Sequence, residues 1–304
     1  SQFGTKYPPQ LDDFSYGVTQ TLAAGETAAT GYFRTPTPRA RNGGADTLML
    51  TELVTLSRTS GPFSGTLAVT LSGAGEGQKI RYVLAGPGAS GAVVPEPTAD
   101  SPLYSGSISI SASTVLRAAV FSADDKRRGR PTTAHYARLG ATGSARVDTF
   151  SSQLPLMVVD VHGSGGLEKD GRERAGWIYA WNPPAAGGTA LTGAPAVATP
   201  LSVNVRGSSS AEFPKKGYTV RLLDAEGRDN AKGLFGLPSF DTWVLVGPWT
   251  YDPTYLHNVL MYDLAGRLGH WAPRTQAIEL FLNTDGGDLD QADYAGLYIL
   301  TDAL

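Results

Sequence analysis

Apolar and polar residues alternate along much of this chain, and a period of two is typical of strands with one buried face. The alternation recurs over residues 67–71, 80–84, 108–110 and 116–120, with turn-rich stretches between. Several short alternating strands at this spacing favour two packed antiparallel sheets. The pattern therefore predicts an immunoglobulin-like β-sandwich over residues 46–142.

Residues 1–45 carry a weaker pattern. Phe14, Tyr16 and Val18 alternate and predict one strand, and prolines divide the sequence on both sides of it. The segments YPPQLDDFSYG and GYFRTPTPRARNG resemble the end of a lamin-tail-type β domain. This resemblance implies that residues 1–45 are the C-terminal remnant of such a domain, and the alternative is a poorly ordered leader.

The third region, residues 143–304, has strands and a small-residue loop. Residues 201–205 and 218–222 alternate as strands, and the loop 206–210 follows the first of them. Strand parity places Lys216 on the face of the apolar residues and Lys215 on the opposite face. A lysine on a covered face needs a partner, and a phosphate would be one. The alternative is a solvated surface hairpin.

A helix is predicted later in the same region. Asp252 is a good N-cap, Pro253 suits the first helical position, and Gly269 suits the C-cap. Leucines recur every four residues between these signals, so we expect a helix over 252–268 that packs one leucine stripe into a core. The stripe comprises Leu256, Leu260, Leu264 and Leu268.

The ordered motifs RGSSS, FPKKGYTVRL, LFGLP, WVLVGPW, DPTYLHN, APRTQAIELFLN and GLYILTD resemble the CotH family of spore-coat-protein-H-like atypical kinases. The resemblance runs from Phe150 to Leu304. It implies a diverged kinase-like small lobe, with ATP and Mg or Mn as cofactors. The fold expected is thus a mainly β N-terminal half of immunoglobulin-like modules, followed by an α+β kinase-like region. The nucleotide-binding residues expected are Arg206, Gly207, Ser208, Ser209, Lys215 and Lys216, although Arg206 equally suits a structural role.

Two departures from the family pattern concern supporting residues. His257-Asn258 stands where the family usually has Arg-Asn, and Asp302 stands where it usually has Glu. With Asp252, His257 and Asn258 either anchor the helix start or orient a loop near the nucleotide, and Asp302 has a structural or lysine-pairing role. The family places its metal-binding and catalytic aspartates downstream, beyond Leu304. The resemblance therefore implies that the catalytic residues lie outside this chain, which alone would be inactive.

The middle region also resembles a known module. The stretches IRYVLAG and PTADSPLYSGSISISASTVLRAAVF are similar to the chitobiase/β-hexosaminidase C-terminal domain. This chain has Ala85-Gly86 where that domain usually has Asp-Gly, and it carries an insertion at 88–95. A spacer role and contact with carbohydrate are both compatible with the resemblance, because a fold does not define a function.

An acidic loop, NTDGGDLDQAD, precedes the final strand and is an insertion relative to the family. Closely spaced carboxylates with glycines between them are able to hold calcium. The spacing differs from that of an EF-hand, and a solvated acidic loop is the alternative. The metal-ligand candidates are Asp285, Asp288, Asp290 and Asp293. The four histidines, His135, His162, His257 and His270, show no metal-ligand spacing.

Composition limits the classes of partner. The formal net charge is −3 and no basic stripe occurs, so we expect no nucleic acid partner. No apolar run approaches the roughly 18 residues that span a bilayer, so we expect no membrane span. The chain has no cysteine, which excludes disulfides and thiolate metal sites.

Two functional hypotheses follow. In the first, a secreted or cell-surface multidomain protein carries the N-terminal part of a CotH-like kinase, with a nucleotide and a protein substrate as partners. In the second, the chain is a non-catalytic extracellular array with a structural, adhesive or carbohydrate-binding role at the cell surface. The expected location is inferred from the combination of modules in the chain.

Overall fold

The computed structural model describes residues 14–20, 24–25, 28–33, 35–43, 49–88, 94–183 and 187–303, and these residues are mainly β. Up to residue 138 the strands are β1 (Ser15–Val18), β2 (Thr30–Phe33), β3 (Thr55–Leu56), β4 (Gly61–Phe63), β5 (Leu67–Val69), β6 (Leu71–Ser72), β7 (Gln78–Ala85), β8 (Ile108–Ile110), β9 (Thr114–Ser122) and β10 (Thr132–Arg138). Beyond it they are β11 (Ser151–Ser152), β12 (Leu156–Asp160), β13 (Arg174–Trp181), β14 (Thr189–Ala190), β15 (Val197–Arg206), β16 (Gly217–Leu222), β17 (Thr242–Val246), β18 (Thr275–Asn283) and β19 (Tyr294–Asp302). An α-helix, α1 (His257–Arg267), lies between β17 and β18.

Near the N-terminus, β1 and β2 form an antiparallel pair, which confirms the strand predicted at 14–18. The sequence YPPQ, on which the lamin-tail resemblance partly rests, lies outside the described residues. That resemblance and the division of the chain near residues 45 and 142 therefore stay predictions.

In the middle region, β4, β10, β9 and β7 form one four-stranded sheet. Two short antiparallel pairs, β3 with β6 and β5 with β8, accompany this sheet. Apolar side chains from the sheet and from both pairs share one buried cluster, which includes Val69, Ile80, Ile110, Leu116 and Tyr136. The predicted strands are present, and the immunoglobulin-like topology stays a prediction.

The third region contains a closed seven-stranded barrel in the order β12-β13-β15-β16-β17-β19-β18. All neighbouring strands are antiparallel except β12 and β18, whose parallel pairing closes the barrel. The family resemblance implied an α+β kinase-like lobe here, whereas the described residues of this region are mainly β, with α1 beside the barrel, and the kinase-like lobe stays a prediction. Closure gives each of these strands a neighbour on both edges.

Strand alternation fills the barrel interior with apolar side chains. Inward positions on every strand belong to one buried cluster, and outward positions do not. The interior includes Met157, Val159, Ile178, Leu201, Val203, Val205, Val220, Leu222, Trp243, Leu245, Ile278, Leu280 and Leu300.

The middle region packs against the outer face of β12, β13 and β18. Val115 and Leu139 of the middle region share a buried cluster with Val158, Tyr179 and Phe281 of the barrel. The same cluster includes Leu289, from the loop between β18 and β19. The two regions are therefore joined by a continuous apolar interface.

Helix α1 differs from its prediction. It begins at His257 rather than near Asp252, because Tyr255 has a φ of 62° and interrupts a helical path. Gly269 adopts a φ of 82° after the helix, as expected of a C-cap.

The helix has eleven residues. None of the helices in the described residues has the length and apolar character needed to cross a membrane.

The leucine stripe of α1 was predicted to pack into a core, and the structure contradicts this. Leu260 is 62% exposed and Leu268 is 67% exposed, and no residue of the helix is buried. A four-residue repeat decides which side chains share a helix face, and it does not decide what that face contacts. Here the barrel interior is filled by the strands, so the helix lies outside it.

Candidate functional site

A cleft of about 700 Å³ lies between the barrel wall and α1. Outward residues of β15, β16, β17 and β19 form its floor, and Asn258 and Tyr262 of α1 line one side. Its volume is within the range of small-molecule sites. The lining residues that the sequence had singled out are Arg206, Gly207, Lys215, Asn258 and Asp302.

The loop after β15 enters the cleft. Gly207 has a φ of 106°, a conformation that favours glycine, and a Cβ there would lie 2.3 Å from the Ser210 hydroxyl oxygen. A short 3-10 helix, Ser209–Glu212, follows and is fixed by the buried Ala211. Arg206 and Gly207 line the cleft, whereas the exposed residues Ser208 and Ser209 do not.

Of the two adjacent lysines, the sequence favoured Lys216 for contact with a phosphate, and the structure places Lys215 in the cleft instead. Lys215 lines the cleft, and its Nζ donates to the Leu297 carbonyl at 2.5 Å and lies over the rings of Tyr255 and Tyr298. Lys216 instead forms a salt bridge with Glu168 at 2.5 Å. Strand parity itself agrees with this placement, because Lys215 lines the cleft with the outward residues Gly217 and Thr219. The Lys216 Nζ lies 3.4 Å from the carbonyl of Leu167, a residue of the interior cluster. The cleft lies on the polar outer face of the strand, not on the apolar face where a phosphate was expected.

Positive charge dominates the cleft. Lys169, Arg206 and Lys215 line it, and none of the three forms a salt bridge within the described residues. Asp302 is the one carboxylate among the described lining residues, and it accepts the Arg274 amide at 2.9 Å with the Arg274 guanidinium 3.7 Å away. Asp302 thus has a structural partner other than a lysine, and the cleft is suited to an anion.

Asp252 organises the start of the helix, which agrees with the alternative that these residues anchor the helix. The Asp252 carboxylate is buried and accepts the His257 amide at 3.1 Å and the Thr254 hydroxyl at 2.9 Å. Burial opposes ionisation of this carboxyl, and these hydrogen bonds outweigh burial, so the pKa of Asp252 is below its ordinary value. His257 is exposed beside it, and Asn258 reaches the cleft.

The four aspartates predicted to hold calcium are not gathered into one group. Asp288 pairs with Arg138 of the middle region, and Asp290 and Asp293 cap the 3-10 helix Gln291–Asp293. Asp285 accepts the Gly287 amide at 2.7 Å. No three of these carboxylates lie close enough together to share an ion within the described residues.

This loop instead attaches the barrel to the middle region. Leu289 donates its amide to the Arg138 carbonyl at 2.7 Å, and its own carbonyl accepts the Gly140 amide at 2.8 Å. The Ser113 hydroxyl also donates to the Gly287 carbonyl at 3.0 Å. These contacts give the insertion a structural role, and calcium binding stays a prediction without a converging ligand set.

A second polar group, which the sequence did not predict, lies in the interface between the two regions. His135 of β10, Asp160 of β12 and His162 are all buried, and their ligand atoms lie within 4.8 Å of one another. Burial raises the pKa of Asp160 to about 7 and lowers the pKa of both histidines. The spacing of these residues along the sequence did not predict the group, because the histidines come from different regions that only the tertiary structure brings together.

The C-terminal part of the chain is similar to a known family. The family model described as CotH kinase protein matches residues 203–304, about a third of the chain. No curated protein matches the chain. The matched residues include β16, β17, α1, β18, β19 and most of the residues that line the cleft. The part of this protein that builds the cleft is therefore similar to the CotH kinase family.

Proposed function

We propose that the cleft binds the phosphates of a nucleotide, and that residues 143–304 are the nucleotide-binding part of a CotH-like atypical kinase. The observation that carries this proposal is the set of three cations, Lys169, Arg206 and Lys215, that line the cleft without salt-bridge partners among the described residues. Cations that converge on a cleft in this way attract an anionic ligand. Two of them fall within residues 203–304, which match the family.

The chemistry of the lining residues fits a polyphosphate. Arg206 offers a guanidinium fork to phosphate oxygens, and Lys215 offers an ammonium at the other end of the loop. The absence of a Cβ at Gly207 makes room for the Ser210 hydroxyl, which lines the cleft beside it. A bound Mg or Mn ion would neutralise phosphate charge, and Asp302 and Asn258 are candidate oxygen ligands in the lining.

The test compares two adjacent lysines by calorimetric titration with MgATP. Lys215→Ala removes a cation that lines the cleft, so ATP affinity should fall about tenfold or more. Lys216→Ala is the matched control, since Lys216 pairs with Glu168 outside the lining residues, and its affinity should stay within about twofold of the wild type. Equal losses in the two variants, or no binding by the wild-type chain, would overturn the proposal.

The non-catalytic hypothesis is supported by a different observation. Phosphoryl transfer needs acidic side chains that hold metal and orient the acceptor, and among the described lining residues only Asp302, which Arg274 already contacts, is acidic. We therefore expect these 304 residues to bind nucleotide without transferring phosphate. Incubation with labelled ATP, Mn²⁺ and a generic acceptor should leave no label on protein. If the wild-type chain produces labelled protein and the Lys215→Ala variant does not, the chain has a complete active site.

The proposal also includes the substrate, the location and the lobe type that were inferred from the sequence. A protein substrate, a secreted or surface location and a kinase-like small lobe are implied by the resemblance to the family. Carbohydrate contact by the middle region is a separate proposal, which would be tested by binding to chitin or other immobilised polysaccharides.

A further inference from the structure

The buried group at the interface contains three side chains that commonly bind metals. His135 is contributed by the middle region, whereas Asp160 and His162 come from the barrel. None of the three lines the cleft, so the group is separate from the proposed nucleotide site. The hydrogen bonds around the two imidazoles decide which ring nitrogens face each other.

The outer contact of His135 fixes its tautomer. The Tyr179 hydroxyl has a single proton, which it donates to the His135 carbonyl oxygen at 2.9 Å. The same hydroxyl oxygen lies 2.6 Å from His135 Nδ1, so Nδ1 must be the donor in that second contact. The neutral ring then has its lone pair on Nε2, on the side towards His162.

The outer contact of His162 has the same consequence. Its Nε2 lies 3.1 Å from the Ala85 carbonyl oxygen, which only accepts, so Nε2 carries the proton. The lone pair is on Nδ1, which lies 3.2 Å from His135 Nε2. The Asp160 Oδ2 atom is 3.7 Å from the same His135 Nε2. Three atoms with lone pairs thus converge inside the protein, and this arrangement calls for a proton or a metal ion among them.

We propose that His135, His162 and Asp160 bind one divalent transition-metal ion, with zinc as the ion that best suits this ligand set. Two nitrogens that bind tetrahedral zinc at about 2.0–2.1 Å are about 3.3 Å apart, close to the separation of the two facing nitrogens. The ion would join the middle region to the barrel across their interface.

The surroundings of the three side chains match those of metal ligands. Each imidazole donates its outer N–H to an oxygen, which is the usual arrangement around ligating histidines. Asp160 Oδ1 accepts the His162 amide at 2.7 Å, and Asn283 Nδ2 lies 3.5 Å from Oδ2. His162 also has a φ of 49°, a strained conformation for a residue other than glycine, and such strain is concentrated at functional sites.

The first experiment uses the intact chain. The protein is treated with a chelator, dialysed, incubated with Zn²⁺ and passed through gel filtration, and its metal content is measured by mass spectrometry. We expect one zinc ion per chain. Zinc at about a hundredfold excess over its dissociation constant should raise Tm by about 5 °C. Titration with Co²⁺ should produce visible absorption bands of imidazole and carboxylate coordination.

Two variants and one control locate the ion. Asp160→Asn keeps an oxygen for the His162 amide and removes the charge, and His162→Asn supplies a residue that tolerates a positive φ. Each should lower zinc affinity at least about tenfold. His270→Gln alters an exposed histidine outside the group and should bind zinc as the wild type does.

The outcomes are decisive in both directions. Absence of zinc from the wild-type chain, or unchanged affinity in both variants, overturns the proposal. An imidazolium signal of His135 in nitrogen NMR without metal uptake also overturns it, because a proton would then supply the charge. If both variants fail to fold, the cobalt spectrum of the wild-type chain decides: coordination bands uphold the proposal, and the spectrum of the aquo ion overturns it.

Discussion

The two outer faces of the barrel have the same strand alternation and different chemistry. On β12, β13 and β18 most buried outward positions are apolar and share a cluster with the middle region, as at Val158, Tyr179 and Phe281, and Asp160 is a buried polar exception. On β15, β16 and β17 the outward positions that line the cleft include Asn204, Thr219 and Thr242. The inward positions are apolar on both sides. The polarity of the outward residues therefore depends on what covers each face, whereas the inward residues are apolar because they fill the barrel.

The two candidate sites differ in the same way as the faces on which they lie. The cleft is open and cationic, so its groups are available to an external anion. The histidine–aspartate group is enclosed, so its charge balance must be met within the interface. A ligand in the cleft would exchange with solvent, and an ion in the interface would act as part of the folded structure.

The largest effect is expected when the middle region is separated from the barrel. A fragment of residues 46–142 exposes Val115 and Leu139, and at about 1.5–3 kcal/mol for each side chain it should lose roughly 3–6 kcal/mol of stability. Its thermal unfolding should remain cooperative, since its strands pair among themselves. Differential scanning calorimetry of the fragment and the intact chain measures both properties.

A matched substitution identifies the cause of that loss. Leu139→Gln should destabilise the intact chain, where the side chain is buried, and should change the fragment little. A fragment as stable as the whole chain would show that the interface contributes nothing. A fragment without a cooperative transition would show that the boundary near residue 142 is wrong.

The next effect compares single positions on the two outer faces. Phe281 is fully buried under the middle region, so Phe281→Ala should cost about 3–5 kcal/mol. Thr219→Ala on the cleft face should cost less than about 0.5 kcal/mol. Urea unfolding of both variants measures the difference. Similar costs would mean that the two faces are equally packed and would contradict the difference between them.

The smallest effect concerns α1. Leu260 is 62% exposed, so Leu260→Ala should change stability by less than about 0.5 kcal/mol. Leu222→Ala is the control, because Leu222 is fully buried inside the barrel and should cost about 2–5 kcal/mol. A loss above about 2 kcal/mol for Leu260→Ala in urea unfolding would show that the helix packs its leucine face after all.

Several features were determined by the sequence alone. Alternation placed the strands of the middle region and the strands at 201–205 and 218–222, because a period of two is a local property of the chain. The ordered motifs after β15 indicated the CotH family, which the family model matches. Arg206, Gly207 and Asn258 were identified before the structure placed them in one cleft.

Other features depended on contacts between distant residues, which only the tertiary structure decides. The sequence favoured Lys216 over Lys215 for the ligand, because it could not show which face of β16 borders the cleft. The leucine face of α1 was misassigned because periodicity does not identify a neighbour. His135 and His162 come from different regions, and no spacing rule joins them. Alternation is encoded within a few residues, whereas closure of the barrel and the group at the interface depend on distant pairings, such as that of β12 with β18.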